Sequence, residues 1–322
     1  MQPQITIAMA TCQGASYLPD QLDSILRQSW RRWRILVSDD GSTDATRAII
    51  AEHARRLPGR IALIEGPRRG ATANFLHLLD EAQGDDWLAF CDQDDVWKPD
   101  KLERAAAYLS AQRGPAVYAA RTTICDETMR PLAPAPHFRG PFGFRNALIQ
   151  ACLPGNTMVV NAPALRLLQQ AAPAARAADV VSHDWWAYQV LAGAEARIFR
   201  DREEVLFYRQ HPRNVMGRND TARARAARAS MLLDGQFADW LGRNQRALEG
   251  ARDILTPSNR DLLAEFGRLL DRAGPAAAWK MWRLGLYRQS RAGTAAVLAA
   301  ALLGRLRLRR ARTAGTASAS DP

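Results

Sequence analysis

Cysteine is scarce: the 322 residues hold four, Cys12, Cys91, Cys125 and Cys152, with no CxxC pair and no zinc-type spacing. That scatter excludes a disulfide framework and a structural zinc module, and it fits small buried thiols in a reducing compartment. Long hydrophobic runs are missing too. A spanning helix needs about 18 apolar residues in succession. The longest candidate, "AGTAAVLAAALLG" at 292–304, falls short and is rich in alanine. The start, "MQPQITIAMATCQG", lacks the basic opening and apolar run of a secretory leader. A cytoplasmic protein is expected, with any membrane contact peripheral, on the inner face. Acidic residues are missing from the C-terminal region: Arg272 to Ser320 carries ten Lys or Arg and no Asp or Glu.

What is present is otherwise ordinary. Hydrophobic residues make up 47% and charged residues 24%, which fits a globular chain of one large domain or two smaller ones. The net charge of +11 directs attention to nucleic acid, an anionic membrane surface or phosphorylated substrates as partners.

The first half alternates between two periodicities. "ITIAMAT" (5–11), "RILVSDD" (34–40), "IALIEG" (61–66) and "DWLAFCD" (86–92) read as strands. "SYLPDQLDSILRQSW" (16–30), "ATRAIIAEHARRL" (45–57), "ATANFLHLLDEA" (71–82) and "PDKLERAAAYLSA" (99–111) read as helices. Such alternation predicts an α/β fold with a mainly parallel sheet flanked by helices. Farther on, the Pro- and Gly-rich stretch 130–144 predicts a loop and "NTMVV" (156–160) a strand. "HDWWAYQVLAGA" (183–194) predicts a helix, and "ARIFRD" and "EEVLFYRQH" two more strands. From about Arg218 the pattern is helical and rich in Ala, Arg and Leu through Arg312, followed by a small polar tail.

Three polar clusters fall at the carboxyl ends of strands, where open parallel sheets bind ligands. They are "TCQG" after the first strand, "DDGSTD" after the second and "DQDD" after the fourth. Alone, "DDGSTD" fits a tight turn and helix cap. Beside an acidic cluster on the same edge, it points to a nucleotide pocket. Asp92, Asp94 and Asp95 crowd into four positions, and like charges this close cost stability unless a cation or donors offset them. An EF-hand loop would need Gly where Trp97 stands. "DQDDV" also fits an aspartyl-phosphate hydrolase with Asp92 as nucleophile, although that motif belongs after a first strand. The remaining reading is the DxD of a nucleotide-sugar transferase, whose carboxylates hold Mg²⁺ or Mn²⁺ on the donor diphosphate.

With "TCQGASYLPDQLDSILRQSW", "ILVSDDGSTDAT" and "FCDQDDVWKPDKL" in that order, the chain resembles the family 2 glycosyltransferases with a GT-A fold. "DQDDVW", "HDWW" (183–186) and "YRQH" (208–211) bring it nearest to the bacterial rhamnosyltransferase-like members, over roughly residues 3 to 217. The resemblance implies a GT-A domain at 1–217; composition alone adds a basic helical C-terminal region at 218–312 and a flexible tail at 313–322. It further implies a metal-dependent, inverting transferase acting in cell-surface polysaccharide synthesis. The donor would be a dTDP- or UDP-sugar, with dTDP-L-rhamnose the leading form, and the acceptor a lipid-linked saccharide.

Position by position, the resemblance places the donor nucleotide against Thr11, Gln13, Asp40 and Asp92, with Asp40 accepting from the base imide. Gln13 stands where many relatives carry Asn. Asp94, with Asp92 and His211, would hold Mg²⁺ or Mn²⁺, and Arg209 and Arg213 would lie near the diphosphate. Asp184 in "HDWW" matches the acidic residue that serves as catalytic base. Asn156, Trp185 and Trp186 would line the acceptor site, with at most one of the two tryptophans purely core. Bland alternatives stand beside these roles. Asp184 suits a helix N-terminus on electrostatic grounds alone, "PGNT" at 154–157 also reads as a plain turn, and His211 as a structural histidine. Asp95 either shapes its loop or meets the acceptor side.

The C-terminal segments "WKMWRLGLYRQSR" and "LLGRLRLRRAR" mix basic with apolar and aromatic residues, which suits an anionic inner-membrane surface. A solvated bundle with arginines lying over its own core is the alternative. No nucleic-acid reader motif accompanies the charge, so no nucleic acid partner is expected. Two rival functions stay open at this level: a phosphohydrolase using Asp92, and a non-catalytic basic protein that binds membrane surfaces.

Overall fold

The computed structural model describes residues 2–212 and 230–308. Arg213, the boundary expected at 217, the last arginines of the basic segment (Arg309, Arg310, Arg312) and the tail at 313–322 lie outside the described residues.

The first half folds as its alternation predicts. Strands β1 (Ile5–Thr11), β2 (Trp33–Asp39), β3 (Ile61–Glu65) and β4 (Trp87–Cys91) alternate with helices α1 (Leu18–Leu26), α2 (Thr46–Arg56) and α3 (Ala71–Glu81). β1 pairs in parallel with β2 and β4, and β2 with β3. Helices cover both faces, so β1 is apolar on both. Ile5, Ile7 and Met9 enter one core while Ala8 enters the other. Each fully buried Ile contributes roughly 1.5–3 kcal/mol, enough to fix the register of a central strand.

Beyond β4 the sheet is mixed. Its order is β3-β2-β1-β4-β8-β6-β9-β5, with β7 (Pro131–Pro134) on the side of β6 (Ala116–Cys125). β8 (Val159–Val160) runs antiparallel to β4 and β6, and β5 (Val96–Trp97) antiparallel to β9 (Arg197–Arg209), while β6 and β9 are parallel. Helix α4 (Lys101–Leu109) follows β5.

Three sequence expectations change here. The two strands expected between 196 and 211 are one strand, β9. Its register slips where Ala119 faces Arg200 but Arg121 faces Glu204, and Asp201 accepts from the backbone of Glu203 at this bulge. "NTMVV" yields only the two residues of β8, because Gly155–Thr157 form a turn of 3₁₀ helix first. The Pro-rich loop contains the short strand β7.

Helices α5 (Phe144–Ala147), α6 (Ala162–Ala178) and α7 (His183–Gly193) cover the second face. The C-terminal helices are α8 (Gln236–Gly250), α9 (Pro257–Leu270), α10 (Pro275–Arg283) and α11 (Arg291–Leu302). Phe237, Leu241, Leu263 and Phe266 share one apolar cluster with Leu165 of α6 and Trp186 of α7. Among the described residues no helix is long and apolar enough to cross a membrane.

Candidate active site

The three polar clusters meet at the carboxyl edge of the parallel strands. After β1, Gln93 clamps the backbone of Cys12 from both sides: its Nε2 donates to the Cys12 carbonyl and its Oε1 accepts from the Cys12 amide, each at 2.9 Å. Gly14 permits this approach, since a Cβ there would lie 2.1 Å from Gln93 Oε1. Gln13 ties the loop to the second cluster. Its Nε2 donates to Thr43 Oγ1 at 2.9 Å, and its Oε1 accepts from the amides of Thr43 and Asp44.

Asp39, which the sequence reading passed over, is the buried centre of that cluster. It accepts from Thr11 Oγ1 at 2.9 Å, Ser42 Oγ at 2.6 Å and the Ser42 amide at 2.9 Å. Burial opposes its ionisation, but these bonds and Arg47 outweigh it and hold the carboxyl below its usual range. Thr11 is 1% exposed, and its hydroxyl donates to Asp39. Thr11 ends β1 at this edge, and its side chain supports the cluster from beneath. Asp40 sits half-buried at the edge. Its two oxygens accept from the amides of Arg68 at 2.6 Å and Gly70 at 2.7 Å, which closes the loop after β3.

The fourth-strand cluster divides its carboxylates by depth. Asp94 Oδ2 lies 2.8 Å from His211 Nε2, and the His211 ring stacks on Tyr17 with centroids 4.7 Å apart. Asp92 is half-buried, and its carboxyl is pushed up to about 7 by burial first, then by Asp94 and Asp184. Asp92 thus feels one carboxylate of its own loop and one from α7. Asp95 is fully buried, and Oδ2 accepts from Asn156 Nδ2 at 2.7 Å. Burial, then Asp94 and Asp92, raise its carboxyl well above the carboxylate range. Asp95 therefore shapes the loop, and the acceptor role expected of Asn156 is corrected to holding Asp95. Arg209 is likewise a structural clamp. It donates to the Asp94 carbonyl at 3.1 Å, the Glu127 carbonyl at 3.0 Å and Asp20 Oδ2 at 2.7 Å.

Asp184 stands in the first turn of α7. Oδ2 accepts from the Gly155 amide at 3.0 Å, and Oδ1 from the Trp185 amide at 2.7 Å and the Ser182 hydroxyl. A Cβ on Gly155 would come within 2.7 Å of His183 Nε2 and 3.1 Å of Asp184 Cβ. Glycine in "PGNT" is what brings that turn against α7. Trp185 and Trp186 are 5% and 0% exposed, so the expectation that one of them lines an acceptor is overturned. α7 is covered on its outer side as well: Trp185 donates to the Ala147 carbonyl at 2.7 Å and stacks on Phe237 just inside α8.

Among the described residues, no three His, Cys, Asp or Glu side chains converge into a ready metal cage. The chemistry of the donor set still suits Mg²⁺ or Mn²⁺. Asp94 with the His211 imidazole 2.8 Å away, and Asp92 two positions earlier, would supply only part of a shell, and such ions commonly complete theirs with substrate phosphates and water. The mutual repulsion that raises Asp92 is what a cation would relieve.

Residues 6–165 match the model for "Glycosyl transferase family 2". The chain belongs to that family. It is 27% identical over 232 residues to the dTDP-rhamnosyl transferase RfbG of Shigella flexneri, covering 70% of this chain and 78% of that one. A shorter match, 32% over 100 residues, joins it to the UDP-Glc:alpha-D-GlcNAc-diphosphoundecaprenol beta-1,3-glucosyltransferase WfgD of Escherichia coli, covering 31% of this chain and 38% of that protein. The structure of S. aureus TarS 1-349 in complex with UDP superposes with a TM-score of 0.51 at 16% identity, over 87% of this chain and 88% of that one. The fold is GT-A, and the phosphohydrolase and non-catalytic alternatives give way to glycosyl transfer.

In this family 2 glycosyltransferase one buried cation behind the acidic loop escaped the sequence reading. Lys101 is 0% exposed, and its Nζ sits 3.0 Å from the centroid of the Trp97 ring. Burial pushes its ammonium down to about 7, against the opposing pull of Cys91, Asp95 and Asp92. The signal was legible. Lys101 falls at i−4 from Ala105 and i−8 from Leu109, on the apolar stripe of α4.

Proposed function

We propose that the chain is a metal-dependent, inverting glycosyltransferase that moves a sugar from a nucleotide-sugar donor to a lipid-linked saccharide in cell-surface polysaccharide synthesis. The observation that carries this reading is that one turn ties two acidic elements together: the Gly155 amide donates to Asp184 of α7 and the adjacent Asn156 side chain to Asp95 of the acidic loop, so that Asp184 adds its charge to that of Asp94 at Asp92. One carboxylate group faces the donor diphosphate and the other the acceptor hydroxyl.

The donor nucleotide lies along the edge formed by Gln13, Asp40 and Asp92. Asp40 keeps lone pairs free for a base imide N–H of uracil or thymine. Asp94, Asp92 and His211 would hold Mg²⁺ or Mn²⁺, which would supply charge neutralisation for the diphosphate leaving group. Asp184, fixed by the amides of Gly155 and Trp185, takes the proton from the acceptor hydroxyl as that oxygen attacks the anomeric carbon. The new glycosidic bond forms on the face opposite the breaking bond to the diphosphate, so configuration inverts.

The similarity to a dTDP-rhamnosyl transferase supports dTDP-L-rhamnose as donor, and the name of the E. coli relative supports an acceptor carried on a lipid diphosphate. Such an acceptor brings the enzyme to the anionic inner face of the membrane, as a cytoplasmic protein bound peripherally. Asp184→Asn tests the base. The expected result is unchanged affinity for the nucleoside diphosphate in Mn²⁺ with transfer lowered roughly 100-fold or more. Turnover near wild type would sink the assignment.

A further inference from the structure

A cavity of about 710 Å³ lies apart from the acidic cluster, lined by Lys98, Arg121, His137, Arg139 and Arg202 together with Glu203 and Glu204. Its face of the sheet follows from alternation along β6. Val117 and Ala119 pack in the core that contains α6 and α7, whereas Tyr118 and Ala120 pack in the other. Arg121 continues the first series, onto the side that carries α7 and, in its first turn, Asp184.

The two carboxylates do not cancel the positive charge. Glu203 pairs with Arg202 at 3.5 Å. Glu204 lies 3.8 Å from Arg121 and accepts from the Thr123 hydroxyl. Lys98 and Arg139 have no carboxylate partner among the described residues, and the Lys98 ammonium rests 5.1 Å over the Phe207 ring. Arg200 adds a buried charge behind the loop that carries His137 and Arg139. It is 7% exposed, donates to the Pro136 carbonyl at 3.0 Å and lies 5.0 Å from the Phe138 centroid. Its Nε and Nη1 have no hydrogen-bond partner among the described residues. The His137 imidazole is pushed down by burial first, and then by Arg200, Arg121, Arg139 and Arg202. Four guanidiniums within electrostatic reach of one imidazole mark a concentration of positive charge that attracts an anion.

We propose that this cavity binds a phosphate or diphosphate carried by the acceptor, with Lys98 and Arg139 as its contacting cations. The inference rests on the transferase reading above, because it takes the α7 side of the sheet as the acceptor side. Two sources share the chemistry: the diphosphate of a lipid carrier and a phosphate borne by the saccharide.

The test is calorimetric titration of the full chain with inorganic pyrophosphate and, separately, with α-glucose 1-phosphate. EDTA is present so that no metal draws the anion to the acidic cluster. Wild type, Asp94→Asn and the double variant Lys98→Ala/Arg139→Ala are compared. Wild type and Asp94→Asn are expected to bind alike, and the double variant roughly tenfold or more weakly. Tighter pyrophosphate binding assigns the lipid diphosphate, and tighter sugar-phosphate binding assigns the saccharide; either supports the site. No binding of either anion by wild type overturns it, as does loss in Asp94→Asn with retention in the double variant. Thymidine diphosphate binding in Mn²⁺ is measured on the same proteins. Its absence from wild type would defeat the donor reading without touching the anion result.

Discussion

His183, next to the candidate base, is held neutral by its surroundings. Its ring stacks on Phe75 with centroids 3.9 Å apart and meets the tilted ring of Phe90 at 5.0 Å. Burial pushes the imidazole down to about 4, although Asp184 pulls the other way. The folded value therefore lies below the roughly 6.5 of an unfolded chain. Between those values the unfolded chain binds a proton that the folded chain refuses. Stability from this source is complete above about 6.5 and falls as pH drops toward 4, by on the order of 2–3 kcal/mol. The urea midpoint of wild type should decline over that window more steeply than that of His183→Gln; equal slopes would remove His183 as the cause. At this scale the sequence was informative about which residues gather and less so about what each touches. Asp92 feels both Asp94 and Asp184, which come from two separate motifs. Trp185, Trp186, Thr11 and Asn156 turn inward because their partners, Phe237, Asp39 and Asp95, come from distant segments or from a neighbour whose depth no local pattern reveals.

Among the described helices, α10 exposes the largest aromatic side chains. Trp279 and Trp282 are 52% and 72% exposed, three positions apart and so on adjoining parts of one face. Leu302 and Leu303, 50% and 64% exposed, close α11 nearby, where the Leu302 carbonyl lies 4.0 Å from a Cβ built on Gly274. Arg283 lies 5.1 Å from the Trp279 ring centroid, and no acidic residue occurs between Arg272 and Ser320. Aromatic rings ringed by cations complement an anionic bilayer surface. Trp279→Ser/Trp282→Ser should reduce cosedimentation with phosphatidylglycerol vesicles by roughly tenfold, while neutral vesicles retain little of either protein. Wild-type binding by the variant would exclude this face. Element by element, the β1–β4 half was readable because each strand and helix there has one clean period. The bulge that joins two expected strands into β9 has no such signature, since it depends on β6 alongside.

At the scale of the whole molecule, the parallel half builds the edge that carries Gln13, Asp40 and Asp92. The mixed half brings back what must face it: His211 from the end of β9 beside Asp94, and Asp184 from α7 beside Asp92. The C-terminal helices cover the outer side of α7, where Trp185 stacks on Phe237. The ordered motifs made the GT-A core legible. The way the C-terminal helices pack was hidden, because Ala-, Arg- and Leu-rich sequence specifies helices without specifying their neighbours. The central claim is that the acidic cluster takes a donor diphosphate through a divalent cation. Calorimetric titration of the full chain with thymidine diphosphate, with and without Mn²⁺, tests it most directly when paired with Asp94→Asn. The account predicts binding that requires Mn²⁺ and weakens roughly tenfold or more in the variant. Binding indifferent both to the metal and to Asp94→Asn would contradict it.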